Sequence, residues 1–346
     1  MFSSCVRVVL AMAIALAPRP APAASPLPAL SIDEHQITVS GISSGGYMAV
    51  QFHIAHSSIV RGAGVLAAGP YYCAQGSAWT ARYNCMQPGG WTAMPGTDVL
   101  ITQTQILARG GLIDDPANLR ASRVWLFSGR NDDTVRPAVV DALADYYSRF
   151  VPPGQIGQVR DVGAGHAMVT TDYGSTCSTT ASPYLNDCDF DAAGVLLAHL
   201  YGSLLAPSVQ AQGELVRFVQ GEFAGSPYAA GMDEEGFVYV PQACRAGGCR
   251  AHVAFHGCRQ GREQIDEQFV RHAGYNRWAD TNRIVVLYPQ VIARYGWGPW
   301  PWPTSFVFNP NGCWDWWGYT GVNYHTKVGA QIRAVKAMLE RLAARP

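Results

Sequence analysis

Val39-Ser40-Gly41-Ile42-Ser43-Ser44-Gly45-Gly46-Tyr47-Met48 decides how the rest of the chain is read. Upstream, Gln36-Ile37-Thr38-Val39-Ser40 alternates polar and apolar residues and carries β-branched side chains, which predicts a strand. Downstream, Tyr47-Met48-Ala49-Val50-Gln51-Phe52-His53-Ile54-Ala55 has good helix formers and no proline. Between them lies Gly41-x-Ser43-x-Gly45, a G-x-S-x-G elbow in its required context of strand, sharp turn and helix. The turn should force Ser43 into a strained conformation with its hydroxyl exposed at the tip. Ser43 would also sit where free N–H groups of a helix N-terminus favour developing negative charge. A Gly/Ser-rich turn with no chemistry has the same pentapeptide, so its meaning depends on partners for Ser43.

Those partners come from the segments that follow. Residues 59–69 read as a buried strand ending in glycine, and residues 123–129 as another, followed by the polar loop Arg130-Asn131-Asp132-Asp133-Thr134-Val135. A helix over 137–150 with proline in its first turn comes next. A strand over 158–162 then ends in Gly163-Ala164-Gly165-His166. Strands alternating with helices predict a largely parallel sheet, whose reactive groups sit on loops at the carboxyl ends of the strands. Ser43, Asp132 and His166 each occupy that position, in the Ser…Asp…His order of α/β hydrolases. Asp133 is the alternative to Asp132, and His325 the rival to His166; His53 and His199 fall within predicted helices.

Composition sets the setting for this chemistry. The first 23 of 346 residues have a basic start, the apolar run Val8-Val9-Leu10-Ala11-Met12-Ala13-Ile14-Ala15-Leu16-Ala17 and a small-x-small site at Ala21-Pro22-Ala23. They read as a secretory signal peptide, too short to span a membrane, so the working chain is expected to start near Ala24 and to act outside the cytoplasm, secreted or periplasmic. Apart from Cys5, eight cysteines remain, an even number that implies disulfides in an exported chain. Proximity suggests Cys73–Cys85, Cys177–Cys188 and Cys244–Cys249, leaving Cys258–Cys313 as the long-range pair. No C-x-x-C pair and no paired histidines at ligand spacing support a metal site. Lys+Arg equals Asp+Glu at 25 each, so no electrostatic field points to nucleic acid or an anionic membrane. Charged residues are only 14%, with 10 Trp and 16 Tyr, a surface suited to a neutral or apolar substrate.

The second half adds Phe237-Val238-Tyr239-Val240-Pro241 and Arg250-Ala251-His252-Val253-Ala254-Phe255-His256-Gly257-Cys258 as strands, the latter ending in His-Gly. Such a strand resembles the one that supplies the second oxyanion N–H in α/β hydrolases, where it precedes the nucleophile instead of following it. Residues 284–290 form a further buried strand, and a last helix over 326–344 places Val328, Ile332, Val335, Leu339 and Leu342 on one face. No internal repeat or linker separates the halves, so residues 24–346 are expected to be one catalytic domain.

Read together, these segments resemble secreted poly(3-hydroxybutyrate) depolymerases of the single-domain, circularly permuted α/β-hydrolase type. The resemblance rests on residues 40–48, Gly69-Pro70-Tyr71-Tyr72-Cys73-Ala74, Ser128-Gly129-Arg130-Asn131-Asp132-Asp133-Thr134-Val135, Gly165-His166, Phe255-His256-Gly257-Cys258 and Asn311-Gly312-Cys313-Trp314-Asp315-Trp316-Trp317-Gly318-Tyr319. It implies a nucleophile at Ser43, an acid at Asp132, a base at His166, and oxyanion N–H groups from Ser44 and Cys258. It also implies a tryptophan-lined crevice, for which Trp314 and Trp316 are the candidates among Trp297, Trp300, Trp302, Trp314, Trp316 and Trp317. The expected substrate is a polyester or oligoester, the protein a monomer, and the chemistry needs no metal or organic cofactor. No separate polymer-binding domain is expected. A secreted esterase for feruloyl or acetyl groups of plant cell walls shares the fold and triad, and a non-catalytic aromatic-surface binding protein is the reading outside enzymes.

Overall fold

The first strand, β1 (Ile37–Ile42), lies in the middle of an eight-stranded sheet, and all six of its residues are buried. In the computed structural model, which describes residues 24–297 and 306–346, the chain places β2 (Val60–Leu66), β3 (Arg123–Phe127) and β4 (Ile156–Val159) successively to one side. It then crosses to the far edge for β5 (Glu214–Val219) and β6 (Glu235–Val240), and fills the gap with β7 (Arg250–Phe255) and β8 (Ile284–Tyr288). The order is β4-β3-β2-β1-β7-β8-β6-β5, parallel from β4 through β8, with β6 and β5 antiparallel at one edge. Both halves of the sequence thus complete one sheet. The expected signal peptide, together with Trp300 and Trp302, lies outside the described residues.

Helices cover both faces. Helices α1 (Ser44–Ala55), α2 (Thr97–Arg109), α3 (Pro137–Tyr147) and α6 (Ala330–Ala343) share one hydrophobic core with Val39 and Val65. Helices α4 (Ala192–Tyr201) and α5 (Tyr275–Asn282) share the other with Ile42 and Leu66. This is an α/β-hydrolase fold, circularly permuted: the His-Gly strand β7 follows β1 in the chain but pairs with it, Gly41 opposite Phe255. The chain near residue 30 is tied to the end of α6, where the Leu30 and Ile32 N–H groups donate to the Leu342 carbonyl at 2.9 and 3.2 Å. Adjacent ends are what a permutation requires. No described helix is long and apolar enough to cross a membrane.

The polar residues of β1 do not face water. Thr38 Oγ1 and Ser40 Oγ each lie 2.7 Å from a ring nitrogen of His252, and Ser40 Oγ also lies 2.8 Å from the Tyr275 hydroxyl. The alternation that marks the strand therefore encodes a buried polar network under the elbow, with both imidazole nitrogens satisfied. Two other expectations shift. β4 starts at Ile156 and ends at Val159 because its partner β3 ends at Phe127. α6 starts at Ala330, after a turn in which the Gly329 N–H donates to the Thr326 carbonyl, so Val328 falls outside the helix and is exposed. Residues 70–96 hold short helical turns at Ala78–Thr80 and Ala81–Met86. The four disulfides pair as proximity suggests.

Five histidines are buried neutral. Burial lowers His53 and His252 to about 3, and His56, His256 and His325 to about 4. Each takes up a proton on unfolding below its ordinary value of 6.5, so stability is complete above pH 6.5 and falls as the pH drops toward 4. At about pH 5.5, above the carboxylate range, unfolding should take up roughly one proton per group, on the order of five. The slope of denaturant-derived stability against pH measures this; an uptake below about two would show that these rings are solvated.

Candidate active site

Ser43 stands at the tip of the turn between β1 and α1 with φ 56° and ψ −123°. A left-handed backbone at a residue bearing a Cβ costs about 1–3 kcal/mol and persists only where surroundings enforce it. Here the Ser43 N–H donates to the Leu66 carbonyl at 3.0 Å, and the Ser43 carbonyl accepts from Tyr47 at 2.9 Å. Glycines remove the obstacles. A Cβ on Gly41 would fall 2.3 Å from the Gly45 carbonyl, and one on Gly45 would fall 2.3 Å from the carbonyl oxygens of Phe255 and His256. The motif spacing is thus the condition for β1, α1 and β7 to touch.

Asp132 follows β3 in a turn closed by its N–H to the Gly129 carbonyl at 3.1 Å. Its Oδ1 accepts N–H bonds from Thr134 and Val135 at 2.8 and 2.9 Å, while Oδ2 lies 2.7 Å from His166 Nδ1. With Oδ1 occupied by two donors, the carboxylate is oriented for an Nδ1–H donor, which leaves Nε2 of His166 for a reacting group. Asp133 is solvent-exposed. His166 is fixed by its own N–H to Thr180 Oγ1 at 2.9 Å, and Gly165 before it packs where a Cβ would meet the Thr179 carbonyl at 2.5 Å. The brace is the segment stapled by Cys177–Cys188, a support the sequence did not announce. His325 is a core residue: it is buried against the Tyr72 ring at 4.3 Å and does not line the cavity.

Ser43 and His166 open on one cavity of about 570 Å³, which Gly257, Cys258 and Trp316 also line. Asp132 and Ser44 stand behind that wall, both buried. Ser44 is the first residue of α1, and Cys258 follows Gly257 just past the end of β7, the strand paired with β1. A third segment ties the two together: Cys313 is bonded to Cys258, and the Trp314 N–H donates to Ser44 Oγ at 3.3 Å. The turn after β7 is held further by Gln260, whose Oε1 accepts the Gly257 N–H at 2.8 Å and whose Nε2 donates to the Tyr184 carbonyl at 2.8 Å.

The tryptophans separate. Trp316 stacks on Tyr47 with ring centroids 3.8 Å apart and forms part of the cavity wall, beside Trp317. Trp314 corrects the sequence expectation: it is 0% exposed, packs edge-on against Phe255 at 4.9 Å, and does not line the cavity. The side chains differ because Trp314 sits over the ends of β7 and α1, where the core is closed, and Trp316 two residues on reaches the opening. Several wall residues carried no signal in the sequence. Arg82 comes from the loop stapled by Cys73–Cys85 and Met86 from the residue after it, Tyr184 from the loop stapled by Cys177–Cys188, and Arg259 from the turn after β7. Only their proximity to cysteines could have marked the first three.

No family model matches the chain. It is 48% identical over 324 residues to a poly(3-hydroxybutyrate) depolymerase of Delftia acidovorans, covering 92% of this chain and 61% of that protein, so it spans about three-fifths of that relative's length. It is 37% identical over 326 residues to a polyhydroxybutyrate depolymerase of Talaromyces funiculosus, covering 92% of this chain and 93% of the relative. Among solved structures, the PHB depolymerase from Penicillium funiculosum superposes with a TM-score of 0.82 at 34% identity, covering 92% of this chain and 99% of that one. A serine-to-alanine variant of PHB depolymerase complexed with an R3HB trimer superposes with a TM-score of 0.83 at 34% identity and the same coverage.

The bridge between Cys258 and Cys313 lies against the site, whereas Cys244–Cys249 closes a short loop of sequence separation 5. Replacing the first pair by serines should lower turnover by about tenfold or more at a temperature where the variant stays folded, since the position of the Cys258 N–H depends on it. The Cys244→Ser/Cys249→Ser variant should keep turnover within about twofold of the parent. Equal losses in initial-rate assays on the two folded variants would remove the special role of the Cys258 bridge.

Proposed function

The chain belongs to the poly(3-hydroxybutyrate) depolymerase family, and on that premise we propose that it is a serine esterase that cleaves poly(3-hydroxybutyrate) or a related short-chain polyhydroxyalkanoate. The observation that carries this reading is the strained Ser43 elbow opening on the same cavity as His166, whose Nδ1 is 2.7 Å from Asp132. His166 Nε2 takes the proton of the Ser43 hydroxyl as Oγ attacks an ester carbonyl, and Asp132 holds the tautomer and stabilises the imidazolium. The tetrahedral oxyanion is met by the N–H groups of Ser44 and Cys258, each worth about 3–4 kcal/mol in comparable sites. His166 returns the proton to the departing alkoxide oxygen. Water then attacks the acyl-Ser43 ester by the reverse path, releasing a hydroxyacid or shorter oligomer and restoring the serine. The mechanism calls on no cofactor.

Trp316 and its stacked partner Tyr47 give the cavity a flat apolar wall suited to a polyester backbone. Four disulfides fit an exported protein acting in an oxidising compartment. The working unit is taken to be a monomer with no nucleic acid or membrane partner. The catalytic unit is taken as residues 24–346, after a removed leader at 1–23.

Clearing of a poly(3-hydroxybutyrate) suspension, with identification of the released acids, tests the reading. Ser43→Ala should abolish clearing; a variant within tenfold of the parent would remove Ser43 from the mechanism. Trp316→Ala should lose about 2- to 12-fold more on polymer than on a short p-nitrophenyl ester, because only the long substrate reaches the lost aromatic contact of about 0.5–1.5 kcal/mol. Trp314→Ala, a core change, should affect both substrates alike. A parent protein that leaves the polymer intact but releases ferulate or acetate from cell-wall material would transfer the assignment to that class of esterase.

A further inference from the structure

Among the described residues, the cavity wall contains two arginines, Arg82 and Arg259, and neither an aspartate nor a glutamate. Neither guanidinium has a carboxylate partner among the described residues, although ten Arg or Lys side-chain contacts elsewhere do pair with acids. The chain as a whole balances 25 basic against 25 acidic residues, so this local excess is not an overflow of basic composition. It stands beside a reaction whose polymer backbone is uncharged.

Arg259 is also held in place. Its backbone is left-handed at φ 61°, its N–H donates to the Asn311 carbonyl at 2.7 Å, Nε donates to Asn311 Oδ1 at 2.9 Å and Nη1 to the Tyr184 hydroxyl at 3.3 Å. All three acceptors are neutral, and the two that meet the guanidinium orient the fork without cancelling its charge; Nη2 has no hydrogen-bond partner among the described residues. Arg82 enters the wall from a different segment, the turn Ala81–Met86 inside the Cys73–Cys85 loop, and has no hydrogen-bond partner among the described residues.

We propose that Arg82 and Arg259 form a carboxylate-recognition subsite, so that the cavity takes the free-acid end of a hydroxyacid oligoester in preference to a neutral ester of the same length. The proposal rests on the ester-hydrolase reading above and adds the end of the chain that is recognised. A hydroxyacid polyester carries its single negative charge at its carboxyl terminus, and each hydrolysis creates one more such end. A planar guanidinium matches a carboxylate through paired N–H bonds. Interior polymer segments gain nothing from the arginines, whereas soluble oligomers gain on every encounter. The subsite thus directs the enzyme toward the short acids that a first round of cleavage releases.

Equilibrium binding to the Ser43→Ala protein tests this without turnover. Calorimetric titration with the (R)-3-hydroxybutyrate trimer as free acid and as methyl ester gives two dissociation constants at neutral pH. The acid should bind about 5- to 25-fold more tightly at low ionic strength, a factor of about five at most for each exposed pair, and the ratio should shrink as salt is raised. Adding Arg82→Gln should lower the ratio by up to about fivefold, and Arg82→Gln with Arg259→Gln should bring it to about one. Arg82 makes no hydrogen bond among the described residues, so its variant keeps the test interpretable if the change at Arg259 disturbs the fold. A ratio near one in the parent background, a ratio that survives both changes, or no measurable binding of either trimer overturns the subsite. Failure of the unaltered protein to hydrolyse any ester would overturn the enzymatic reading separately, since the binding ratio does not depend on turnover.

Discussion

The contact on which the molecule depends is the close approach of three backbones, β1, α1 and β7, at Gly41 and Gly45. Parallel pairing puts Gly41 opposite Phe255, and α1 leaves the turn so tightly that Gly45 meets the carbonyls of Phe255 and His256. The geometry follows from one sequence choice, two glycines spaced around a serine, since any Cβ there would overlap backbone that cannot move aside. Its result is chemical. Ser43 is lifted into a left-handed conformation at the carboxyl edge of the sheet, on the same cavity that Gly257 and Cys258 after β7 line. That place is where the strand connections reverse direction, the crevice in which open α/β sheets bind ligands.

Everything else stabilises that arrangement from outside. The network of Thr38, Ser40, His252 and Tyr275 locks β1 to β7 from beneath, and its neutral imidazole is tolerated only because both ring nitrogens are bonded. From above, the segment at Cys313-Trp314 reaches both Cys258 and Ser44. The loops that shape the cavity contain only short elements, and disulfides tie them: Cys73–Cys85 holds the wall with Arg82, and Cys177–Cys188 joins the small three-stranded sheet of the brace behind His166. Rigid sheet and stapled loops together fix the catalytic groups, while the cavity's specificity lies in loop residues.

What the sequence made legible is what local physics encodes. The strand, turn and helix around Ser43 are written in periodicity and glycine spacing, and Asp132 and His166 are marked by position, each just past a strand. Long-range packing is not encoded that way. Trp314 and Trp316 look equivalent in the motif, yet one closes the core over Phe255 and the other faces the opening, because a two-residue step in an irregular segment has no fixed facing. Val328 fits the apolar stripe of α6 but precedes its first turn. The alternation in β1 suggests a half-exposed strand and instead records a buried polar pairing, since His252 lies more than two hundred residues away. The wall arginines have no periodic signature at all.

A crystal structure of the protein treated with an alkyl phosphonate tests the central claim most directly, because the adduct mimics the tetrahedral intermediate. The elbow geometry predicts phosphorus bonded to Ser43 Oγ, with the phosphonyl oxygen within about 2.7–3.1 Å of both the Ser44 and Cys258 nitrogens and His166 Nε2 facing the leaving-group side. An unmodified Ser43, or a phosphonyl oxygen turned away from either N–H, would contradict it.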